Sequence, residues 1–451
     1  MKTFFVEPFV FLFMFGVSIK SVTFQDLLLL KTCTDLNVTT CANLRNDSIH
    51  EAAVQRMANN YQMLGIAIAT IPSAIVTIML GPWSDRHGRK IPMILPLFGM
   101  IIENILCIFL VRCYQIPSVY ILLAYFSGGI LGGFSCVITG IYSYVSDVSS
   151  SNSRTFRYGV ADLFFALGLP TGTLTGGQIF KYWGYSAVFG TSAVILLLAI
   201  LYIWLFLGDS LLLDNKSSFK RKILDIFNVS DWKESIYSCL KKRPGNARAR
   251  ILLLVISMCF IVVSYIGNST IGYLYAQRMY NWDVTMYSNV STIFTILSVV
   301  IMTGILPLLT KVFVVKDAVL GILGLTSYIG QSLGRAFAFQ EWTYYAASAF
   351  GTLNGAAPVA VRASLSKSIH NNEIGKVFSF LAVCEAVTPI VAGVVFSQVY
   401  NCSLGIFLGI VYLMSIAWLL VPLAVFLWLL CQEPVKIEYE PINTSSDIVV
   451  E

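Results

Sequence analysis

Charge is scarce in this sequence. Asp, Glu, Lys and Arg make up 12% of its 451 residues, about half the roughly 25% of an ordinary soluble domain. That shortage excludes a soluble globular enzyme, a disordered chain and a nucleic-acid binder. Histidine is scarcer: His50, His87 and His370 are the only three, and all fall in segments that read as loops. No histidine relay inside a membrane is expected, and no His-rich metal site. Ten cysteines are too few for a disulfide scaffold. Most of them, such as Cys107, Cys136, Cys259 and Cys384, sit in apolar runs as small packing residues. There is no Ser-His-Asp set, no zinc-ligand spacing and no Gly-rich phosphate loop. The chain therefore reads as a non-enzyme without a cofactor or a metal.

What the sequence has instead is apolar length. Hydrophobic residues make up 57% and mean hydropathy is +0.75. The apolar residues come in continuous runs, unlike the ten-residue alternation of a membrane barrel. A bilayer core takes about 20 apolar residues per helix. Twelve such runs stand near 4–28, 57–80, 91–111, 118–145, 158–180, 185–207, 251–276, 284–309, 318–339, 343–364, 375–399 and 404–430. The expectation is an all-α protein of twelve transmembrane helices. Met1-Lys2 before the first run also resembles a secretory signal. Glu7 and Pro8 interrupt that run and no clear cleavage site follows, which favours a retained helix.

The net charge of +6 follows topology. Basic residues crowd one set of loops: Arg86 to Lys90, Arg154 with Arg157, Lys311 with Lys316, Lys367 with Lys376, and ten Lys and Arg in 209–250. The positive-inside rule places these loops, and the N-terminus, in the cytoplasm. The loop after the first run then faces outward. It holds two glycosylation sequons, at Asn37 and Asn46, beside Cys33 and Cys41. That pair is a candidate disulfide in an oxidising compartment. The layout divides the chain into an N-terminal half (1–208), a basic linker (209–250), a C-terminal half (251–430) and a cytoplasmic tail (431–451).

Between runs two and three stands Gly81-Pro82-Trp83-Ser84-Asp85-Arg86-His87-Gly88-Arg89-Lys90. This fits the major facilitator signature G-x-x-x-D-R-x-G-R-[RK]. Gly88 permits an unusual backbone angle, and Asp85 can cap a helix and pair with Arg89. The expected gating set is Gly81, Asp85, Arg86, Gly88, Arg89 and Asp147.

Further motifs carry a narrower resemblance: Phe5-Val6-Glu7-Pro8, Val145 to Ser151 followed by Ser153-Arg154-Thr155-Phe156-Arg157, Trp282-Asp283, and Pro358-Val359 with Arg362-Ala363 and Leu365-Ser366-Lys367. Together they resemble the solute carrier family of the proton-coupled folate transporter, in order along nearly the whole chain. Asp162 and Glu385 resemble its lysosomal branch, associated with steroid conjugates, muropeptides and cyclic dinucleotides. Asp162 stands where the folate carrier has a glutamate, and Glu385 where it has an asparagine. Tyr265 replaces a histidine that matters to folate coupling, and Asn281 replaces a pairing cysteine.

Charges in apolar runs are costly and mark candidate sites. The resemblance puts proton coupling on Asp162, and Glu385 is a second candidate. Arg362 suits an anionic substrate because its planar fork matches a carboxylate or phosphate, although anchoring at the membrane interface is an equally bland role. Tyr265 could stack on a substrate ring. Glu103 reads as structural. Gly168, Gly172 and Gly176 read as a close-packed helix face. In the tail, Tyr439-Glu440-Pro441-Ile442 has the Y-x-x-Φ form read by clathrin adaptors. The implied function is symport of protons with a small organic anion across a lysosomal or endosomal membrane. Folate uptake at the plasma membrane, and a non-transporting solute receptor, are the competing readings.

Overall fold

The computed structural model of the chain describes residues 5–36, 48–113, 115–149, 154–208, 246–307, 315–368 and 374–431. These are helical nearly throughout. The N-terminal bundle comprises α1 (Glu7–Ile19), α2 (Ser21–Asp35), α3 (Ser48–His87), α4 (Lys90–Arg112), α5 (Ile121–Ile130), α6 (Gly133–Val148) and α7 (Arg154–Phe206). The C-terminal bundle comprises α8 (Ala247–Tyr280), α9 (Val284–Pro307), α10 (Asp317–Ala336), α11 (Glu341–Phe350), α12 (Ala356–Ser366), α13 (Ile374–Ser403) and α14 (Ile410–Cys431).

Seven segments among the described residues are long and apolar enough to cross a membrane on their own. The helices that miss this test, such as α10 with Thr326, Ser327, Gln331 and Ser332, mix polar side chains into their spans. Helix α4 shows the membrane-protein pattern. Phe98, Ile102, Ile105 and Phe109 form an exposed apolar stripe, while Leu97, Asn104 and Cys107 on the other side are buried.

Local chemistry explains the breaks. α1 and α2 part at Lys20, where the Ser21 hydroxyl bonds back to Ser18 O at 2.8 Å and competes with the helix ladder. The two runs expected at 158–180 and 185–207 both lie in α7, which turns at Gly184, with φ 71° and ψ −169°. Such a conformation is open to glycine and strained for other residues. The second run, expected at 57–80, begins earlier, at Ser48. The added turns carry Glu51, Gln55 and Arg56, polar groups that meet the other bundle rather than lipid and so escape a hydropathy reading. This corrects two loop placements: His50 and His87 lie at the two ends of α3.

The cores show how the bundles meet. At the end bearing Lys31, Gln55 and Tyr400, one hydrophobic cluster runs through both, from Phe24, Leu27 and Phe189 to Ile271, Tyr275 and Phe396. At the basic end, near Gly88, two separate clusters replace it. One holds Phe9, Met93, Tyr144 and Ile200. The other holds Ile251, Leu325, Leu365 and Leu381. Among the described residues, the bundles are joined at one end and their clusters stand apart at the other.

Candidate functional site

The walls of the parted region carry Asp162, Arg362 and Glu385. On the C-terminal wall, Arg362 on α12 meets Glu385 on α13. Its Nη2 lies 3.0 Å from Oε1 and 3.3 Å from Oε2. The Arg362 side chain is 50% exposed and that of Glu385 is 24% exposed, so the pair is open at the surface. One nitrogen makes both contacts, which leaves the rest of the fork without a protein partner among the described residues. Four residues on, Pro389 lacks the N–H that would reach Glu385 O. The Thr388 hydroxyl takes that carbonyl at 2.6 Å.

On the N-terminal wall, the Tyr142 hydroxyl of α6 donates to Asp162 Oδ1 on α7. Tyr142 is also within electrostatic reach of Arg362 and Glu385. The structure thus brings Asp162, Glu385 and Arg362 into one neighbourhood and adds Tyr142. Sequence reading passed over Tyr142. Its signal was its place on α6, just before the Val145-to-Ser151 motif. Tyr265 stands apart from this group. It is 55% exposed and lies within electrostatic reach of Tyr287 and Tyr328.

The basic turn is built around Gly88, whose φ is 111°. Arg89, just before α4, places Nε 2.7 Å from Asp147 Oδ2 at the end of α6 and Nη1 2.8 Å from Ser84 Oγ. Sequence reading offered Asp85 as the partner of Arg89. Arg89 meets Asp147 of the expected gating set, and the Asp85 side chain lies outside the described residues. Gly81, Asp85 and Arg86 fall in the helical backbone of α3, and the side chains of Asp85 and Arg86 lie outside the described set.

The joined end is sealed by polar contacts between bundles. Asn59 Nδ2 donates to Ser397 O at 2.8 Å and Asn401 Oδ1 at 2.9 Å. Asn401 Nδ2 donates to Asn60 Oδ1 at 2.7 Å. Gln55 bridges Gln277 and Tyr400, and Arg278 lies 3.2 Å from Glu51. Deeper in, the hydroxyls of Tyr185 and Tyr273, one from each bundle, both donate to Asp26 at 2.5 Å. Glu103 pairs with Lys20 at 2.6 Å, both largely buried, in keeping with a structural role.

Cys33 is disulfide-bonded. Cys41, the sequon residues Asn37 and Asn46, the linker from 209 to 245 and the tail motif at Tyr439 and Ile442 lie outside the described residues. No group of three or more His, Cys, Asp and Glu suited to a metal occurs among the described residues.

A family model described as Major Facilitator Superfamily matches residues 10–393. Among curated relatives, the chain is 26% identical to a lysosomal proton-coupled steroid conjugate and bile acid symporter of Gallus gallus, over 95% of this chain and 94% of that one. It is 21% identical to a probable peptidoglycan muropeptide transporter of Drosophila melanogaster, over 89% and 80%. It is 23% identical to the proton-coupled folate transporter of Rattus norvegicus, over 92% and 90%. The fold is similar to that of a D-xylose-proton symporter, with a TM-score of 0.65 and 14% identity over 94% and 95% of the two chains. It is also similar to the human organic anion transporter MFSD10, at 0.61 and 14% over 93% and 98%.

Proposed function

The chain belongs to the major facilitator superfamily, and on that premise we propose that it is a proton-coupled symporter of a small organic anion. The observation that carries the reading is the open Arg362–Glu385 pair facing Tyr142 and Asp162 across the parted bundles. Arg362 holds the anion. Its guanidinium is engaged by Glu385 when no substrate is present. A proton on Glu385 removes that competition and frees the fork. Asp162 carries a second exchangeable proton, and the Tyr142 hydroxyl donates to its carboxylate when that proton has left. Tyr265 lines the route for an aromatic or steroidal body. Proton and anion must then load together, because an unpaired buried charge resists closure of the bundles.

Residues 1–208 and 251–430 rock against each other, joined by the linker 209–250. Arg89 with Asp147, supported by Gly81, Asp85, Arg86 and Gly88, stabilises the turn on which the basic end closes. The multi-pass protein resides in endolysosomal membranes, sorted by Tyr439 and Ile442 through clathrin adaptors. The relatives named for lysosomal symport support this placement. The pH difference drives transport through each proton that moves with the anion. Each pH unit contributes about 1.4 kcal/mol per proton, and two units sustain a roughly hundredfold gradient.

The test is flux in proteoliposomes carrying the full chain, with a pH-sensitive dye inside. Taurocholate, a muropeptide, a cyclic dinucleotide and folate are supplied in turn. Acid-stimulated uptake of one solute with proton co-entry, lost in Asp162→Asn, supports the reading. Folate as the accepted solute moves the assignment to the folate-carrier alternative. Uptake indifferent to pH and to Asp162 sinks proton coupling. Saturable binding without flux makes the protein a receptor.

A further inference from the structure

A second cationic centre lies at the joined end, away from Asp162 and Arg362. Arg335, in the last turn of α10, is half-buried. Its guanidinium carbon stands 4.6 Å from the Tyr344 ring centroid. One Nη2 bond reaches Ser348 Oγ at 2.9 Å, and no carboxylate lies within ion-pairing distance among the described residues. Arg335 Nε is buried without a hydrogen-bond partner.

Its neighbours share that condition. Ser332 Oγ, one helical turn earlier, is buried and unpartnered, and so are Tyr412 Oη and Trp282 Nε1. Trp282 packs edge-on against Tyr344 at 5.2 Å. Tyr412 packs edge-on against Tyr275 at 4.9 Å, and the Tyr275 hydroxyl holds Arg335 O at 2.8 Å. All four unpartnered atoms can donate a hydrogen bond. Two of them, on Arg335 and Trp282, can do nothing else. Buried donors left unmade are costly, and a half-buried charge without a counter-charge adds to that cost. Water could satisfy the neutral donors, but it would leave the guanidinium charge uncompensated. The missing partner is an acceptor that also carries negative charge.

We infer that Arg335, Ser332, Tyr412 and Trp282 form a binding site for a compact oxyanion, a carboxylate or sulfate group, framed by the rings of Tyr344 and Tyr275. The group is either a free inorganic anion or the end of an aromatic solute. The site lies on the opposite side of the molecule from the parted region. It therefore accepts an anion while the Arg362 region is open at the basic end. It goes beyond the proposed symport and stands or falls independently of it.

The test uses the full chain purified in detergent, with thermal unfolding followed at constant ionic strength. Sodium sulfate and 4-nitrophenyl sulfate are titrated separately against sodium gluconate. Saturable stabilisation is expected in the wild type. Arg335→Gln should weaken it at least about tenfold, as loss of a charge-assisted bond does, and Arg335→Lys should restore part of it. Tyr412→Phe removes one unpartnered donor without changing the ring, and should weaken binding even where Arg335→Gln fails to fold. Stabilisation by sulfate itself identifies a free-anion site. Stabilisation by 4-nitrophenyl sulfate alone identifies a site for an aromatic solute's anionic end. No saturable stabilisation by either probe overturns the inference. So does stabilisation unchanged in folded Arg335→Gln, or in Tyr412→Phe where that variant alone folds.

Discussion

Arg362 spends a single nitrogen on both oxygens of Glu385, at 3.0 and 3.3 Å. Half of the Arg362 side chain stays exposed. This one-sided pairing makes the two residues separable by experiment. Glu385→Gln keeps a hydrogen-bonding side chain but removes the charge that competes for Arg362. Substrate exchange between equal pools should survive it, while pH-driven accumulation should fall by roughly tenfold or more, the scale of one charge-assisted bond. Arg362→Gln should abolish both. Counterflow and gradient-driven uptake, measured side by side in proteoliposomes, check the split. Equal loss of both activities in Glu385→Gln would return that residue to a structural role.

Legibility varied along the chain with the distance between partners. Helical runs, the Gly88 turn and the charges at Asp162, Arg362 and Glu385 could be read from local pattern, because an apolar run makes every charge in it conspicuous. Their partners could not. Tyr142, which holds Asp162, looks like any amphipathic tyrosine until folding places it there. Asp147, by contrast, stands in the expected gating set, and it meets Arg89 across 58 residues. The extension of α3 back to Ser48 was hidden because its polar residues answer polar residues on α8 and α13, and a single sequence does not show that complementarity. Arg335 was passed over because it stands close to a span's end, where arginine ordinarily anchors to a membrane interface.

The Lys20–Glu103 pair, at 2.6 Å and nearly out of solvent, calls for a different test. Removing one member of a buried pair typically costs about 3–5 kcal/mol, because the other is left uncompensated, whereas replacing both with apolar groups is often neutral. Glu103→Gln and Lys20→Met should each lower the thermal midpoint and the folded yield. The double variant Lys20→Met/Glu103→Leu should recover most of the loss. The space is tight beside the carboxylate: a Cβ on Gly128 would come 2.7 Å from Glu103 Oε2. Gly128→Ala should therefore destabilise wild type more than the Glu103→Gln variant. Thermal unfolding of the purified protein checks all five variants.

The seal at the joined end sets the resting conformation. Asn59 makes two inter-bundle hydrogen bonds, to Ser397 and Asn401. Asn59→Leu leaves the Ser397 carbonyl and the Asn401 amide without this donor, so the joined end should open more often. A cysteine placed at buried Thr270, where Gln62 now bonds the backbone carbonyl at 3.2 Å, reports this. In a Cys402→Ser background, which removes an exposed thiol, Thr270→Cys should react with a membrane-impermeant maleimide several-fold faster when Asn59 is Leu. Unchanged labelling would mean that the hydrophobic cluster through Phe24, Ile271 and Phe396 holds the seal alone.

The glycines of α7 make the last prediction, and the helix supplies its own control. An added Cβ at Gly176 would stand 1.9 Å from Ile19 O, and one at Gly172 would stand 2.5 Å from Phe15 O. At Gly168 the nearest atom is Met14 Cβ at 2.7 Å. The first two obstacles are backbone of α1, so the helix itself must shift. The third is a side-chain atom, although Phe11 O follows at 3.0 Å. Gly190, in the same helix beyond the turn, has nothing within 4 Å. Alanine there should stabilise by up to about 1 kcal/mol through helix propensity alone. The expected order of folded yield is Gly190→Ala at or above wild type, then Gly168→Ala, Gly172→Ala and, lowest, Gly176→Ala. Size-exclusion profiles of the detergent-extracted variants measure it directly. A flat series would mean that α1 can slide along α7 at little cost. In that case the glycine face is a moving surface of the transport cycle rather than a fixed contact.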